Sequence, residues 1–444
     1  MPNRKNIQHI SDAFLCSSCG ACKAICSRDA IDFHFTNIGR LKADVNSRCI
    51  DCGLCLKVCP SYTQISGNET GANPYVGNVI NTYIGRALDD EIYQNSQSGG
   101  ICTALTSYLL ASKKVDAVIV CKISAGTSPY SKATIVREKE ELRDCQRSCY
   151  TQLDLLSALR GVETNECIAV VGIACQIEGL TLLQKVSKKY NILYKIGLIC
   201  DRSHCLGYQE TILSFSPTSA KRLIYWKKKD FSHNKKYYSY KDAPIVVSDE
   251  RGRTSIFPNL FRFSLKDFFT PPRCRVCRDK INVFADIVLG DPWGMSNVDW
   301  NHGNSVVISR TEKGQNLLVE AMKASVISLV AASTEEMLQG QHINERKTDV
   351  ARYVRAFHHF IPVHNSWLIE QKNTSSLDTQ KVESATKDLM DFRMWESKTK
   401  REIIREGQKR IALATGIWHP SLYGYRVCRK IEITLSALYK KIVK

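Results

Sequence analysis

The sequence predicts an α/β core domain with a small cysteine-bound α+β domain at its N-terminus and a helical C-terminal extension. Three observations predict it. Eight of the 19 cysteines fall in two short repeats within the first 59 residues. From about Val76, short β-branched runs alternate with helix-like segments. After about Gly340 the chain becomes polar and helical in pattern. These shifts divide the chain into 1–72, 73–340 and 341–444.

The N-terminal domain is the most specific signal. "CSSCGACKAIC" places Cys16, Cys19, Cys22 and Cys26 at C-x2-C-x2-C-x3-C, and "CIDCGLCLKVCP" repeats it with Cys49, Cys52, Cys55 and Cys59 before Pro60. This is the spacing of a bacterial-type ferredoxin with two four-iron clusters. A short loop wraps three thiolates round one cluster, and the fourth cysteine reaches the other. Cys16, Cys19, Cys22 and Cys59 are expected on one cluster, and Cys49, Cys52, Cys55 and Cys26 on the second. Gly20 and Gly53 suit loops that pass close to sulfide. Ser27 stands where a proline usually follows the fourth cysteine. Between the repeats, "AIDFHFTNIGRLKADV" alternates around Asn37-Ile38-Gly39 and reads as a hairpin. A pair of zinc knuckles is the other reading of eight such thiols.

In the core, "NTYIGRA", "DAVIVCKI", "ECIAVVGI" and "ILYKIGLIC" read as strands, with "ICTALTSYLLAS" and "QIEGLTLLQKVSKKY" as helices between them. "SQSGGICTALTSYLL" is a polar loop running into a helix. Gly99 and Gly100 let the backbone approach a ligand, and the helix start, with Ser98 and Thr103, suits a phosphate. A simple helix cap is the alternative. "VVGIACQIEGL" and "YKIGLICDRSHC" carry Cys175 and Cys200 at the ends of strands, and open α/β sheets bind ligands there. "RCRVC" adds Cys274 and Cys277, which alone cannot close a tetrahedral site. A third four-iron cluster on Cys175, Cys200, Cys274 and Cys277 is one reading; inert buried thiols and a zinc site are the others. In "ADIVLGDPWGMSN", Asp291 follows a strand and reads either as a contact to a cofactor hydroxyl or as a turn-forming residue.

Six motifs in order, "SQSGGICTALTSYLL", "SCYTQLDLL", "GIACQIEGL", "GLICDRSHC", "RCRVCRDKINVFADIVLGDPWG" and "SVVISRTEKGQNLL", resemble the family of coenzyme F420 hydrogenase and dehydrogenase beta subunits. Relatives include 7-hydroxymethyl chlorophyll reductase and proteins linked to polysaccharide biosynthesis. The resemblance covers about Tyr83 to Gln339, plus the ferredoxin module that many members carry. It implies FAD beside a four-iron cluster. It puts that cluster on Cys175, Cys200, Cys274 and Cys277, and the flavin at the Gly99-Gly100 segment, with Ser98, Thr103, Tyr150, Gln152 and Asp291 as further cofactor contacts. One position departs: members commonly have lysine where this chain has Cys149. A lysine would stabilise reduced flavin or an acidic substrate, and a thiolate would do the opposite. Arg147 lies near enough in sequence to compensate. The departure bears on the acidic deazaflavin as substrate. Cys149 reads as a plain substitution or as a nucleophile.

The remaining chain is less specific. "STEEMLQGQHINERKTDVARYVRAF" reads as a helix edge and linker, and the adjacent histidines of "HHFIP" diverge on a helix. Residues 401–444 hold ten Lys or Arg against three Glu. The last 20 residues place Ile431, Leu435, Leu438 and Ile442 on one stripe flanked by Arg429, Lys430, Lys440, Lys441 and Lys444. Such a helix packs on protein or lies on an anionic bilayer. No run approaches about 18 apolar residues, as a membrane span requires. "MPNRKNIQHISDAF" lacks the apolar stretch of a secretory signal. A cytoplasmic protein is expected, at most peripheral at the inner face of the membrane, with its thiols used for metal or redox work. The formal charge is +18. Three clusters at about −2 each would lower it to roughly +12, and FAD to roughly +10, so the basic balance reads partly as counter-charge, with an acidic membrane surface or nucleic acid as the other readings. No nucleic-acid motif occurs, and no such partner is expected.

Together these readings give an iron–sulfur flavoprotein oxidoreductase with three 4Fe–4S clusters and FAD. Electrons would pass between the ferredoxin clusters and FAD, and between FAD and an organic substrate or the deazaflavin coenzyme. A redox partner protein, reduced deazaflavin or a ferredoxin would be the donor. The alternative is a non-catalytic electron-transfer subunit that feeds a partner enzyme, including one of surface polysaccharide biosynthesis.

Overall fold

The structure, a computed structural model, describes residues 5–63, 73–123, 129–216, 222–225, 245–248, 253–360 and 379–422, with single positions at 424 and 434. The two cysteine repeats adopt the same backbone. Ser18 and Asp51, at matching positions, have φ of 60° and 50°, and Gly20 and Gly53 have 89° and 75°. Each glycine starts a short helix, Ala21–Ile25 or Leu54–Lys57. Positive φ costs glycine little, so the loop can turn tightly round its three thiols. Between the repeats, β1 (Ile31–Phe35) and β2 (Leu41–Val45) pair antiparallel, with Phe35 opposite Leu41. The Gly39 N–H donates to the Thr36 carbonyl at 2.8 Å, closing the hairpin at the expected turn.

The core is one sheet of eight strands. They are β3 (Asn81–Ala87), β4 (Ala117–Ile123), β5 (Ser131–Val136), β6 (Cys167–Ile173), β7 (Asn191–Leu198), β11 (Ile287–Gly290), β12 (Ser305–Ser309) and β13 (Ile327–Ala331). Their order is β13-β3-β12-β11-β7-β6-β4-β5. The centre, β11-β7-β6-β4, is parallel, and the flanking pairs are antiparallel. Alternation along each strand sorts residues to two faces. Ile119, Ile168, Val170 and Val306 pack with Leu155, Leu156, Ile177 and Leu180 on one face, where Cys19, Ala21 and Val58 of the N-terminal domain join them. Val118, Val120, Ala169 and Val307 pack on the other with Leu105, Leu109 and Leu317. The ferredoxin-like domain is thus built into the core, not strung in front of it.

Two features depart from the sequence reading. Strands β8 (Arg222–Tyr225), β9 (Ile245–Ser248) and β10 (Thr254–Phe257) form a second antiparallel sheet in order β10-β9-β8. Their short runs lie in basic, polar surroundings and give little periodic signal. The stretch read as a linker holds helix Thr334–Gly340 and then an 18-residue helix, Ile343–Phe360. Its Val350, Tyr353, Val354 and Phe357 are buried at helical spacing; four apolar residues among so many charges were easily missed. Helices Thr379–Glu396 and Lys400–Thr415 follow. Ala385 and Leu389 pack against Val350 and Tyr353, and Ile403 and Ile411 against Tyr208 and Phe261. The basic stripe from Arg429 to Lys444 lies outside the described residues, as do the side chains of His358 and His359. Among the described residues no helix is long and apolar enough to cross a membrane.

Candidate redox centre

Each cysteine loop aims backbone amides at sulfur. Ser18 N–H lies 3.4 Å from Cys16 Sγ, and Asp51 N–H 3.4 Å from Cys49 Sγ. Such donors favour a thiolate or a cluster-bound sulfur. Cys26, Cys49, Cys52 and Cys55 line one cavity, so the cysteine that closes the first repeat in sequence sits with the second. Cys59 is the converse: burial pushes its thiol up, and Cys19 and Cys16 push it further. Cys22, also raised first by burial, faces Cys19, Cys16 and Cys59. The crossed sets expected from spacing are the sets brought together. Ser27 does not open the turn after Cys26, because Ala30 N–H still reaches Cys26 Sγ at 3.4 Å and Asp29 N–H reaches the Cys26 carbonyl at 3.3 Å.

The second set of thiols gathers at the carboxyl edge of the parallel strands. Cys175 starts helix Ala174–Val186, directly after β6. Cys200 follows β7, and its N–H donates to the Lys280 carbonyl at 2.9 Å. Cys274 lies in the short helix Pro272–Arg275, with Cys277 just beyond. Burial first, then Cys277, Cys19, Cys200 and Cys274, push the Cys175 thiol well up. Cys200 is raised by burial and by Cys274 and Cys277. Four thiols that repel one another as thiolates in a buried site are suited to a cation-bearing group, which removes that repulsion. Among the described residues no three His, Cys, Asp or Glu side chains close on a single-ion point.

Cations surround this set. Arg346 donates to the Cys277 carbonyl at 3.0 Å and the Cys274 carbonyl at 3.1 Å. Buried Arg273 donates through Nε to Ser61 Oγ at 2.6 Å. Burial disfavours its charge, but Cys277, Glu178 and Cys175 hold its pKa above the ordinary value. Burial raises the Cys19 and Cys59 thiols on the ferredoxin side, and the same guanidinium offsets a small part of that. The two thiol sets therefore abut. Cys19 Sγ lies 3.1 Å from where a side chain on Gly179 would begin, one helical turn after Cys175. Glu178 is buried beside Arg278 at 3.6 Å, and burial pushes its carboxyl up to about 7.

The expected cofactor contacts divide. Ser98 Oγ donates to Asp291 Oδ1 at 3.0 Å and to the Asn304 carbonyl at 2.7 Å, joining residues 193 apart in sequence. Gln97 Nε2 donates to Tyr150 Oη at 3.4 Å, and Arg262 stacks on the Tyr150 ring at 4.4 Å. Gly100, with φ 77°, caps helix Ile101–Ala111, and Thr103 lies in its first turn. The first N–H groups of that helix have no intrahelical acceptor, so this end suits an anionic group. Gly99 is small for another reason: a Cβ there would lie 2.5 Å from the Gly85 carbonyl and 2.6 Å from Ser305 N. The Gln152 side-chain amide accepts from Leu41 N–H at 3.1 Å and donates to Ser18 Oγ at 2.9 Å. Both partners lie in the N-terminal domain, so this side chain helps dock that domain. Sequence reading missed Arg273, Arg346 and Gly179; the arginines flanking "RCRVC" were the available signal for the first.

Comparison with known proteins agrees with this layout. Residues 82–160 match the family model for the N-terminal part of the coenzyme F420 hydrogenase/dehydrogenase beta subunit, and 165–335 match that for its C terminus. Residues 15–63 match a 4Fe-4S dicluster domain. A coenzyme F420-dependent sulfite reductase of Methanocaldococcus jannaschii is 28% identical over 340 residues, 70% of this chain and 46% of that protein. The chain thus spans about half the length of that relative. Coenzyme F420 hydrogenase subunit beta of Methanosarcina barkeri is 23% identical, over 62% of this chain and 95% of the relative. A subunit of the F(420)H(2) dehydrogenase of Methanosarcina mazei is 25% identical, over 68% and 80%. A solved F420-reducing NiFe hydrogenase complex from Methanosarcina barkeri aligns with TM-score 0.48 at 19% identity, over 63% of this chain and 94% of that one. The two beta-subunit models together take in more than half of the chain, and F420-linked subunits align along it. The chain belongs to the family of coenzyme F420 hydrogenase/dehydrogenase beta subunits.

Proposed function

We propose that this protein is an iron–sulfur flavoprotein oxidoreductase, with three 4Fe–4S clusters and FAD, acting on an organic substrate of the deazaflavin class. Cys16, Cys19, Cys22 and Cys59 would hold the first cluster, and Cys26, Cys49, Cys52 and Cys55 the second. Cys175, Cys200, Cys274 and Cys277 would hold the third. Ser98, Gly99, Gly100, Thr103, Tyr150, Gln152 and Asp291 would meet FAD. When bound, the clusters supply one-electron exchange and the flavin the passage between one- and two-electron chemistry. The chain's own residues set the order of these sites. Cys175 carries the reading: its neighbours include Cys200, Cys274 and Cys277 of the core and Cys19 of the ferredoxin-like domain. Buried Arg273 offsets negative charge on both sides of that junction.

The deazaflavin assignment draws on the names of the relatives, which are F420-linked enzymes and subunits. Anaerobically purified protein should carry about twelve irons and one FAD. Cys274→Ser should reduce iron to about eight and leave the ferredoxin signals in electron paramagnetic resonance. Eight irons and no flavin in the unaltered protein would defeat the proposal and leave a ferredoxin fused to an unassigned core. A second reading, an electron-transfer subunit, is favoured by the word "subunit" in two of those relatives' names. Purified protein that exchanges electrons with coenzyme F420 unaided supports the enzyme; exchange only after adding a partner supports the subunit.

A further inference from the structure

Of the twelve cysteines assigned above to clusters, Cys52 alone is exposed. The first and third sets meet inside the molecule, where Cys19 stands against the helix that Cys175 begins. The second set, with Cys52, is therefore the outer end of the series. We propose that the surface round Ile50 is the docking face for a small acidic electron-carrier protein, one with a redox centre near its surface and a rim of Asp and Glu. The proposal rests on the assignment of a cluster to Cys26, Cys49, Cys52 and Cys55, and adds where electrons cross between this chain and its partner.

The face has an apolar middle. Ile50 sits in the loop between Cys49 and Cys52 and is 63% exposed. It lines the same cavity as Arg28, Cys49 and Cys52, so a partner that covers Ile50 also covers the outer edge of that site.

Cations surround it. Arg28 is exposed at the cavity, and exposed Lys5 has its carbonyl 3.7 Å from where a side chain on Gly53 would begin. Asp29 faces two arginines, Arg48 at 3.5 Å and Arg160 at 3.4 Å, so one carboxylate stands against two cations. Arg160 also donates to the Cys26 carbonyl at 3.0 Å, which holds it at this site. Asp51 is engaged by the Asn6 side-chain amide. An apolar centre within a charged rim is the layout of a protein interface. A basic rim attracts an acidic partner and repels a second copy, which would bring the same cations to the contact. One exposed apolar side chain suits the small, transient contacts of electron-transfer pairs. In each encounter one electron moves: the carrier is oxidised and the outer cluster reduced, or the reverse, and no bond or proton changes hands.

The test mixes chemically reduced flavodoxin, a small acidic carrier, with anaerobic holoprotein in a stopped-flow spectrometer and follows the flavodoxin absorbance. The bimolecular rate should fall on the order of tenfold between low and physiological salt. Arg28→Glu and Ile50→Asp should each slow it by about fivefold or more. Lys323→Glu makes the same charge change as Arg28→Glu on a helix that packs on the opposite face of the core sheet, and should slow it by less than about twofold. Reduction by methyl viologen radical should be unaltered in all three variants. Four outcomes overturn the proposal: a rate that ignores salt; equal rates in all three variants; no reaction with flavodoxin while methyl viologen reduces the clusters; or self-association of the holoprotein that Ile50→Asp abolishes, which gives the face to a second copy. The first, third and fourth begin from unaltered protein, so a misfolded variant does not blunt the test. Iron content separates this proposal from the wider reading. About eight irons would remove the third cluster and leave the docking face intact, because that face needs only the second.

Discussion

His204 pairs its backbone with Tyr150 and Gln152, stacks on Tyr208 at 4.5 Å, and is held neutral. Burial first, then Arg262 and Arg202, lower its pKa to about 3. In the unfolded chain it would titrate near 6.5. Between about pH 6.5 and 3 the unfolded state therefore binds the extra proton, and stability falls as pH falls. His204→Asn should remove that slope, worth up to about 1.4 kcal/mol per pH unit well below 6.5. Denaturant unfolding of holoprotein at pH 7, 6 and 5, compared with the variant, measures it; parallel losses would show that His204 titrates freely. At the same scale, Gly99→Ala drives a methyl into the Gly85 carbonyl and Ser305 N. It should cost about 1–3 kcal/mol, read by denaturation, and reduce flavin retained on purification.

Between elements, the N-terminal domain is tied to the core by backbone bonds and by side chains that include Gln152, Arg160, Tyr190 and Arg273. Leu156 N–H donates to the Cys19 carbonyl at 2.9 Å, and Leu206 N–H to the Gly39 carbonyl at 2.7 Å. Gln152 closes the seam from the core side. Gln152→Ala would strand the buried Leu41 N–H, at about 1–3 kcal/mol, while the Ser18 hydroxyl keeps its bond to the Leu41 carbonyl. The expected result is faster proteolytic release of the region before residue 73, with all ferredoxin iron still bound. Unchanged cleavage would mean that the remaining contacts hold the seam without Gln152. Strand tips were legible because Cys175 and Cys200 end apolar runs, and a parallel sheet brings such ends to one edge. The Gln152 seam was not legible, since nothing local in "SCYTQLDLL" distinguishes a ligand contact from a domain contact.

For the molecule as a whole, charge organises the redox path. Arg273 lies between two thiol sets that would each carry negative clusters. Reducing a cluster adds one more negative charge, which a nearby cation stabilises. At an effective dielectric of about 20 that is worth on the order of 2 kcal/mol, or somewhat under 100 mV for one electron. Arg273→Gln should therefore lower the midpoint potential of the adjacent clusters by tens of millivolts, measured by redox titration with electron paramagnetic resonance. A potential that does not move would remove Arg273 from the path. The charge of +18 then reads, in part, as counter-charge built into the junction.

The sequence alone determined the ferredoxin-like domain, because its eight cysteines lie in two short local repeats whose spacing dictates the backbone round them. It also determined the alternating core strands, because burial on two faces imposes apolar runs that any reader can see. Only the tertiary structure decided that Ser98 meets Asp291, that Gly179 makes room for Cys19, and that Arg273 stands between two thiol sets. Those contacts join segments far apart in the chain, and they depend on strand order and domain docking, which no local pattern encodes.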